Sequence, residues 1–202
     1  MTVTLQTVTG TDLVPMLPAL ARLRIAVFRE FPYLYEGSQD EEETHLRSFA
    51  ASPSSGLIVA WEDGEAVGCA TAMKLTDASA TVMAPFRARG LDPADFFYFG
   101  ESVLLPAYRG QGIGVGFFAA REAHARMAST CDYATFCAVI RPANHPRRPP
   151  GTVGLEGFWR KRGYVAYPDL ICTMRWTEIG GDVEVENRLS FWMKSLSGRA
   201  LP

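Results

Sequence analysis

Between Phe97 and Phe118 the chain changes character twice in a short span. Phe97-Tyr98-Phe99-Gly100-Glu101-Ser102-Val103-Leu104-Leu105 has the aromatic and branched composition of a buried strand. Pro106, which cannot donate to a ladder, ends it. From Ile113 to about Met127 the apolar spacing is helical. Between them lies a basic, glycine-dense turn, Arg109-Gly110-Gln111-Gly112. The first amides of a helix lack intrahelical acceptors and stand at the positive end of its dipole. Glycines in front of them let an anion approach the backbone closely. Strand, glycine turn and helix start, in that order, point to an α/β architecture and predict an anion site at the turn.

The spacing decides which anion. A nucleoside-triphosphate loop needs Lys-Ser or Lys-Thr after its last glycine, and here Gly114 is followed by Val115-Gly116. The dinucleotide fingerprint G-x-G-x-x-G fails as well: counted from Gly110 it ends on Val115, and from Gly112 on Phe117. Asp132 is therefore no ribose ligand. What remains is R-G-x-G-I-G directly after a strand ending in Leu-Leu-Pro.

That string resembles the coenzyme A pyrophosphate loop of the GNAT superfamily of N-acetyltransferases, V-x-P-x-[YFW]-[RQ]-G-x-G-[ILV]-[GA]. It runs here from Leu104 to Gly114, with Leu in place of the first Val. The resemblance implies a mixed central β-sheet of about seven strands flanked by about four helices, in the order β-α-α-β-β-β-α-β-α-β-β. In that fold the central strand and the next one splay apart, and the pantetheine arm bonds to strand backbone in the gap.

A chain of 202 residues, 48% hydrophobic, can bury one core of this kind, and residues 1–202 are expected to form a single domain. A net charge of −2 offers no basic field to nucleic acid or an anionic membrane. No apolar run is long enough to span a bilayer, and the N-terminus lacks the basic and apolar segments of a signal peptide. A cytoplasmic location follows by default. Cys69, Cys131, Cys137 and Cys172 form no C-x-x-C pair and read as buried free thiols, so no metal is expected.

Residues 2–9 alternate and read as a first strand. Thr11 and Asp12 cap a helix carrying Leu17, Leu20, Leu23, Val27 and Phe28, with Pro15 and Pro18 in its first turn. The aromatic loop Phe31–Gly37 follows. Ser38-Gln39-Asp40-Glu41 is a capping box opening a second helix to about Ala50, and its acidic run Asp40 to Glu43 reads as a solvated first turn. Leu57–Trp61 and Glu65–Leu75 form a hairpin, and 77–95 hold a short helix and a loop ended by Pro93. Tyr133–Ile140 is a buried strand, Arg141–Gly151 a proline- and arginine-rich loop, and Val153–Arg162 a short helix stopped by Gly163. Leu170–Thr177 and Val183–Met193 close the sheet. His45 and His124 fall in helical patterns and are expected at the surface.

Acyl transfer from a thioester to an amine needs a proton acceptor, a donor for the oxyanion and, least of all, an acid for the thiolate. By resemblance, backbone of Val103, Leu104 and Leu105 meets the pantetheine, with an N–H near Leu104 polarising the thioester carbonyl. Amides of Arg109, Gly110, Gln111, Gly112, Ile113 and Gly114 hold the pyrophosphate, and the Arg109 side chain adds charge. Asn144 stands where the family often bonds the pantetheine, although a turn-forming role before His145-Pro146 competes. The co-substrate implied is acetyl-CoA, and the acceptor a small-molecule or peptide amine.

Glu101 is the candidate base, with burial raising its pKa towards the working range. It lies one residue closer to the proline than the family usually has it. That offset turns the side chain to the other face unless a bulge intervenes, and Gly100 can mark one. A glutamate tied to a cap or an arginine is the competing reading. Trp159 stands where the family often has its tyrosine acid, so Tyr164 becomes the candidate acid, against Tyr167, water or a mere packing role. Tyr33, Tyr35 and Glu36 suit the acceptor site, since rings and a carboxylate fit an amine with an apolar body, against a loop lid packed on the core, the competing reading above all for Tyr33. Arg147 and Arg148 fit the 3′-phosphate of coenzyme A, an acidic substrate or a solvated loop. No cysteine sits in a nucleophile motif, which favours direct attack over an acyl-enzyme. A non-catalytic acyl-CoA-binding module is the alternative, and a homodimer through the last strands stays open.

Overall fold

The computed structural model describes residues 2–202. Along the chain the elements are β1 (Thr4–Thr9), α1 (Leu17–Phe28), α2 (Gln39–Ala50), β2 (Gly56–Glu62), β3 (Glu65–Lys74), α3 (Ala80–Ala88), β4 (Phe96–Leu104), α4 (Ile113–Ala128), β5 (Tyr133–Val139), α5 (Glu156–Arg160), β6 (Val165–Thr177) and β7 (Glu184–Ser195). All seven strands share one sheet in the order β1-β2-β3-β4-β5-β7-β6. Every neighbouring pair is antiparallel except β4 and β5. The expected mixed sheet is present, and α3 is the short helix expected within 77–95, making five α-helices among the described residues.

The central strand reads as a continuous apolar run because both its faces are covered. Phe96 and Tyr98 pack towards α3, while Phe97 and Phe99 pack towards α4. Phe96, Phe97 and Phe99 are no more than 1% exposed. Burying each contributes about 1.5–3 kcal/mol. Helices α1, α2 and α3 cover one face of the sheet, and α4 and α5 the other.

The splay is visible in the pairing. β4 and β5 are joined only at Phe96–Tyr133, Phe97–Ala134 and Tyr98–Thr135. Beyond those pairs β4 continues along β3 to Leu104, and β5 continues along β7 to Val139. A wedge therefore opens between two parallel strands, its vertex at Tyr98 and Thr135.

Local chemistry explains most boundaries. The Ser38–Glu41 capping box forms in full and starts α2 at Gln39. Pro18 sits in the first turn of α1, but Pro15 lies in a preceding 3-10 segment, Gly10–Met16, which replaces the first turns of the expected helix. α5 is shorter than expected, and β6 begins at Val165, just after the turn at Gly163. His124 is not at the surface: it is 5% exposed and meets the Ser54 carbonyl at 2.9 Å. His45 is exposed as expected.

Candidate active site

The glycine turn is built as an anion cradle. Gly110 and Gly112 take φ of +79° and +85°, values that a side chain would strain, and Gly112 is the N-cap of α4. Among the described residues, the amides of Gly110, Gln111, Gly112, Ile113 and Gly114 donate to no protein acceptor. Five adjacent N–H groups thus remain available at a helix start. Arg109 departs from expectation on both counts. Its amide is spent on the Pro106 carbonyl (3.2 Å), and its guanidinium binds Glu30 (2.8 Å) and the Leu104 carbonyl (3.1 Å). Arg109 pins the turn to the end of α1 and β4.

Backbone direction along the wedge follows from ladder alternation. The Leu105 amide donates to Val67 at 3.1 Å, and Cys69 pairs with Val103 in the same register. Val103 therefore turns both polar backbone groups towards β3, while Leu105 spends its amide on Val67 and its carbonyl on the Tyr108 amide at 3.0 Å, which corrects their expected contact with pantetheine. Ser102 and Leu104 turn theirs into the wedge. Across it, the Ile140 amide donates to Arg188 at 2.9 Å, so Cys137 and Val139 are the residues of β5 that face the wedge. Ser102, Cys137 and Val139 escape a sequence reading because strand pairing, not residue type, sets their direction.

The bulge is present. Residues 68, 69 and 70 of β3 pair with 104, 103 and 102, but 72 pairs with 99, so β4 carries one residue more. The Glu101 amide donates to the Thr71 hydroxyl at 3.1 Å. A Cβ on Gly100 would lie 2.5 Å from that same hydroxyl. The bulge turns Glu101 away from α4, onto the face of α1 and α2.

There Glu101 meets an arginine. Arg24 of α1 reaches Glu101 at 2.8 Å through Nη1, and its Nε donates to Glu42 of α2. Arg24 and Glu101 are 12% and 13% exposed at the side chain, and Glu42 only 2%. Burial alone would lower the Arg24 guanidinium, but the two carboxylates carry it above its ordinary value. Glu101 is thus ion-paired rather than isolated among apolar groups. Glu42 is not the solvated first-turn residue expected from its acidic neighbours. One signal was available: Arg24 interrupts the apolar face made by Leu20, Leu23 and Phe28.

Arg24, Glu42 and Glu101 line a cavity of about 350 Å³. Tyr33, Tyr35, Tyr98, Phe28 and Trp176 supply much of its wall. The loop carrying Tyr33 and Tyr35 is stitched to the end of β6. Tyr35 bridges Glu178, the Glu36 amide donates to Thr177 (2.9 Å), and the Ile179 amide donates to Leu34 (2.7 Å). Arg141 donates to the Pro32 and Tyr33 carbonyls and pairs with Glu178 at 2.7 Å. Burial pushes both phenols up, with Glu42 adding to the shift of Tyr35. Glu36 is a correction: its carboxylate is exposed and paired with Arg29, outside the cavity.

Tyr164 is likewise a correction. It is 1% exposed on the α4 side, among Phe99, Phe118 and Phe136, and donates to Glu122 at 3.2 Å. Tyr167 donates to the Pro202 carbonyl. The phenol at the wedge is Tyr98, which meets Cys137 Sγ at 3.4 Å and lines the cavity. Burial, with Cys137 beside it, holds Tyr98 well above the usual phenol range. Asn144 stands exposed in a turn closed by His145 donating to Pro142, which fits the turn-forming role. Arg147 approaches Glu178 at 4.0 Å, and Arg148 lies over the Phe31 ring, both on the side of the aromatic loop.

A parallel strand pair thus parts beside an open helix start, with an acid-lined cavity behind it. The sequence profile of the acetyltransferase (GNAT) family matches residues 20–150, and the chain belongs to that family. It is an acyltransferase. The N-acetyltransferase from Staphylococcus aureus Mu50 shares the fold at a TM-score of 0.60 and 12% identity, covering 97% of this chain and 99% of that one. The acetyltransferase yncA from Salmonella typhimurium, so assigned and solved with its cofactor acetyl-CoA, matches at 0.59 and 13%, covering 99% and 97%. An acetyltransferase from Thermus thermophilus matches at 0.57 and 13%, covering 96% and 97%. No curated protein matches significantly. Among the described residues no helix is long and apolar enough to cross a membrane.

Proposed function

We propose that the protein transfers an acetyl group from acetyl-CoA to a primary amine by direct attack, within one domain spanning residues 1–202. The observation that carries this reading is a pairing on one segment. Glu101 is turned to the cavity, and the same chain, a short way further on, presents five open amides from Gly110 to Gly114. Acetyl-CoA, when bound, supplies the activated acetyl group. The five amides hold its diphosphate, the cradle being one that a Cβ at Gly110 or Gly112 would strain. Ser102, Leu104, Cys137 and Val139 offer the arm backbone partners, and the Leu104 amide is the donor for the carbonyl oxygen.

Glu101 takes the proton of the amine. The trio of Glu42, Arg24 and Glu101 holds two carboxylates and one guanidinium, so it carries surplus negative charge before transfer. Once Glu101 is protonated, Arg24 and Glu42 remain as a closed pair, and no net charge is left buried. Tyr98 is the phenol placed to hydrogen-bond the departing sulfur, with water completing its protonation.

Calorimetric titration with acetyl-CoA, followed by thiol release over a panel of amines, tests the proposal. Micromolar binding with amine-dependent release is expected, and no binding at millimolar coenzyme refutes it. Binding without release from any amine would leave a non-catalytic acyl-CoA-binding module, a reading that the Arg24 hold on Glu101 favours.

A further inference from the structure

The charges and walls of the cavity select among amines. Arg24 is already bound through Nε to Glu42 and through Nη1 to Glu101. The other arginine at the wall, Arg175, is half-exposed and turned to Glu184 and Glu186 at 3.6 and 3.1 Å. Glu41 is exposed and serves the Ser38 cap, and His45 stands exposed at the rim. The interior therefore holds one surplus negative charge. A buried unbalanced carboxylate is costly, and one ammonium balances it.

The wall offers few further polar groups: the Tyr35 phenol is directed to Glu42, and the Tyr33 hydroxyl and Ser79 are the others open to a ligand. Trp176 Nε1 is spent on the Tyr33 carbonyl at 3.0 Å, and the Thr71 hydroxyl accepts from Glu101. The Tyr98 hydroxyl meets Cys137. Phe28, Phe49, Met73 and Met174 complete an apolar lining. A volume of about 350 Å³ lies at the low end of small-molecule sites.

We propose that the acceptor is a small primary monoamine on an apolar or aromatic body without a carboxylate, and that Glu42, acting through Arg24, is the residue that sets this preference. The proposal rests on the cavity being the acceptor site. A carboxylate on the substrate would put three anions around one guanidinium. A second ammonium would find no free carboxylate inside, and a polyhydroxylated body would lose more hydrogen bonds to water than the few wall hydroxyls return.

The test compares four probes with the intact protein: 2-phenylethylamine, L-phenylalanine, spermidine and kanamycin. Phenylalanine differs from phenylethylamine by its carboxylate alone. Expected is a kcat/KM for phenylethylamine at least about 100-fold above that for phenylalanine, with spermidine and kanamycin also well below. Glu42→Gln is expected to shrink the phenylethylamine-to-phenylalanine ratio of kcat/KM at least about tenfold, a change in discrimination between substrates that a general loss of activity would not produce. It leaves acetyl-CoA affinity unchanged. Equal or better turnover of phenylalanine, spermidine or kanamycin overturns the proposal while leaving acetyl transfer intact. So does an unchanged ratio in folded Glu42→Gln. The wild-type comparison decides alone if that variant does not fold. Calorimetry separates the two readings: selective binding of phenylethylamine without turnover upholds the acceptor class and overturns catalysis. Failure of all four to bind or react overturns both.

Discussion

The Glu101 amide donates to the Thr71 hydroxyl at 3.1 Å, at the place where β4 carries its extra residue against β3. Thr71→Val keeps the side-chain shape and removes the acceptor. An unpaired buried amide costs about 1–3 kcal/mol, and that loss is expected in chemical denaturation. If the contact presents Glu101, kcat also falls, by about tenfold for a misplacement near 1.4 kcal/mol, and Thr71→Ser restores it. A stability loss with unchanged kcat would show that the bulge stands without Thr71.

Glu101→Gln keeps the bulk and loses the proton acceptor. Positioned acid–base groups contribute about 10²–10⁴-fold, so kcat is expected to drop by at least about 100-fold. The coenzyme cradle lies elsewhere on the strand and turn, and the acetyl-CoA Kd stays within about twofold of wild type, a change below 1 kcal/mol. Full activity of this variant would remove Glu101 from the mechanism.

Gly112 caps α4 at φ +85°, beside the open amides. A Cβ there meets no neighbouring atom, so Gly112→Ala suffers backbone strain and not a packing clash. The left-handed conformation costs an L-residue about 1–2 kcal/mol. Relaxing that strain moves the amides, and a coenzyme Kd weaker by about tenfold is expected, read by calorimetry against a small change in melting temperature.

Cys137 lines the cavity at the wedge, beside Tyr98. Its contact with Cys172 lowers the thiol despite burial, which makes it the cysteine to test for an acyl-enzyme. Direct attack predicts that Cys137→Ala keeps kcat within about threefold, under 1 kcal/mol, with intersecting initial-rate patterns. Parallel patterns together with a trapped thioester on Cys137 would establish the two-step route instead.

Burial and the charge of Glu122 push the Tyr164 phenol above its usual value of 10.0. Above that pH the unfolded phenol ionises while the folded one keeps its proton. The native state then binds more protons, so the stabilisation is complete below about pH 10 and lost as pH rises beyond it. Tyr164→Phe is expected to flatten this alkaline loss of stability. Because Tyr164 lies across the sheet from the cavity, the variant keeps kcat within about threefold. A large fall in kcat would return it to the chemistry.

The sequence was most readable where local rules and the fold agree. Pro106, the paired glycines and the period change at Ile113 each have a backbone cause, so strand, turn and helix were placed nearly to the residue. Gly100 beside an offset Glu101 even located the bulge, because a register conflict has few remedies. The acceptor side was far less readable. Glu42 looks like any acid in a helix first turn, and only the packing of α1 on α2 brings Arg24 to it. Tyr164 and Tyr98 are both tyrosines in apolar runs, and which side of the sheet each serves depends on neighbouring strands. Glu36 was misplaced because its carboxylate finds Arg29 before it can reach the interior.

Tyr35 and Glu178 bridge two segments far apart in the chain, with Arg141 fastening both. If the cavity takes the amine as proposed, its chamber is walled by one end of the polypeptide and latched by the other, while the proposed phosphate grip occupies the middle. Substitutions in the last two strands would then reshape what enters without loosening what donates. Selection for a new acceptor would have a handle here that leaves the carrier's berth undisturbed.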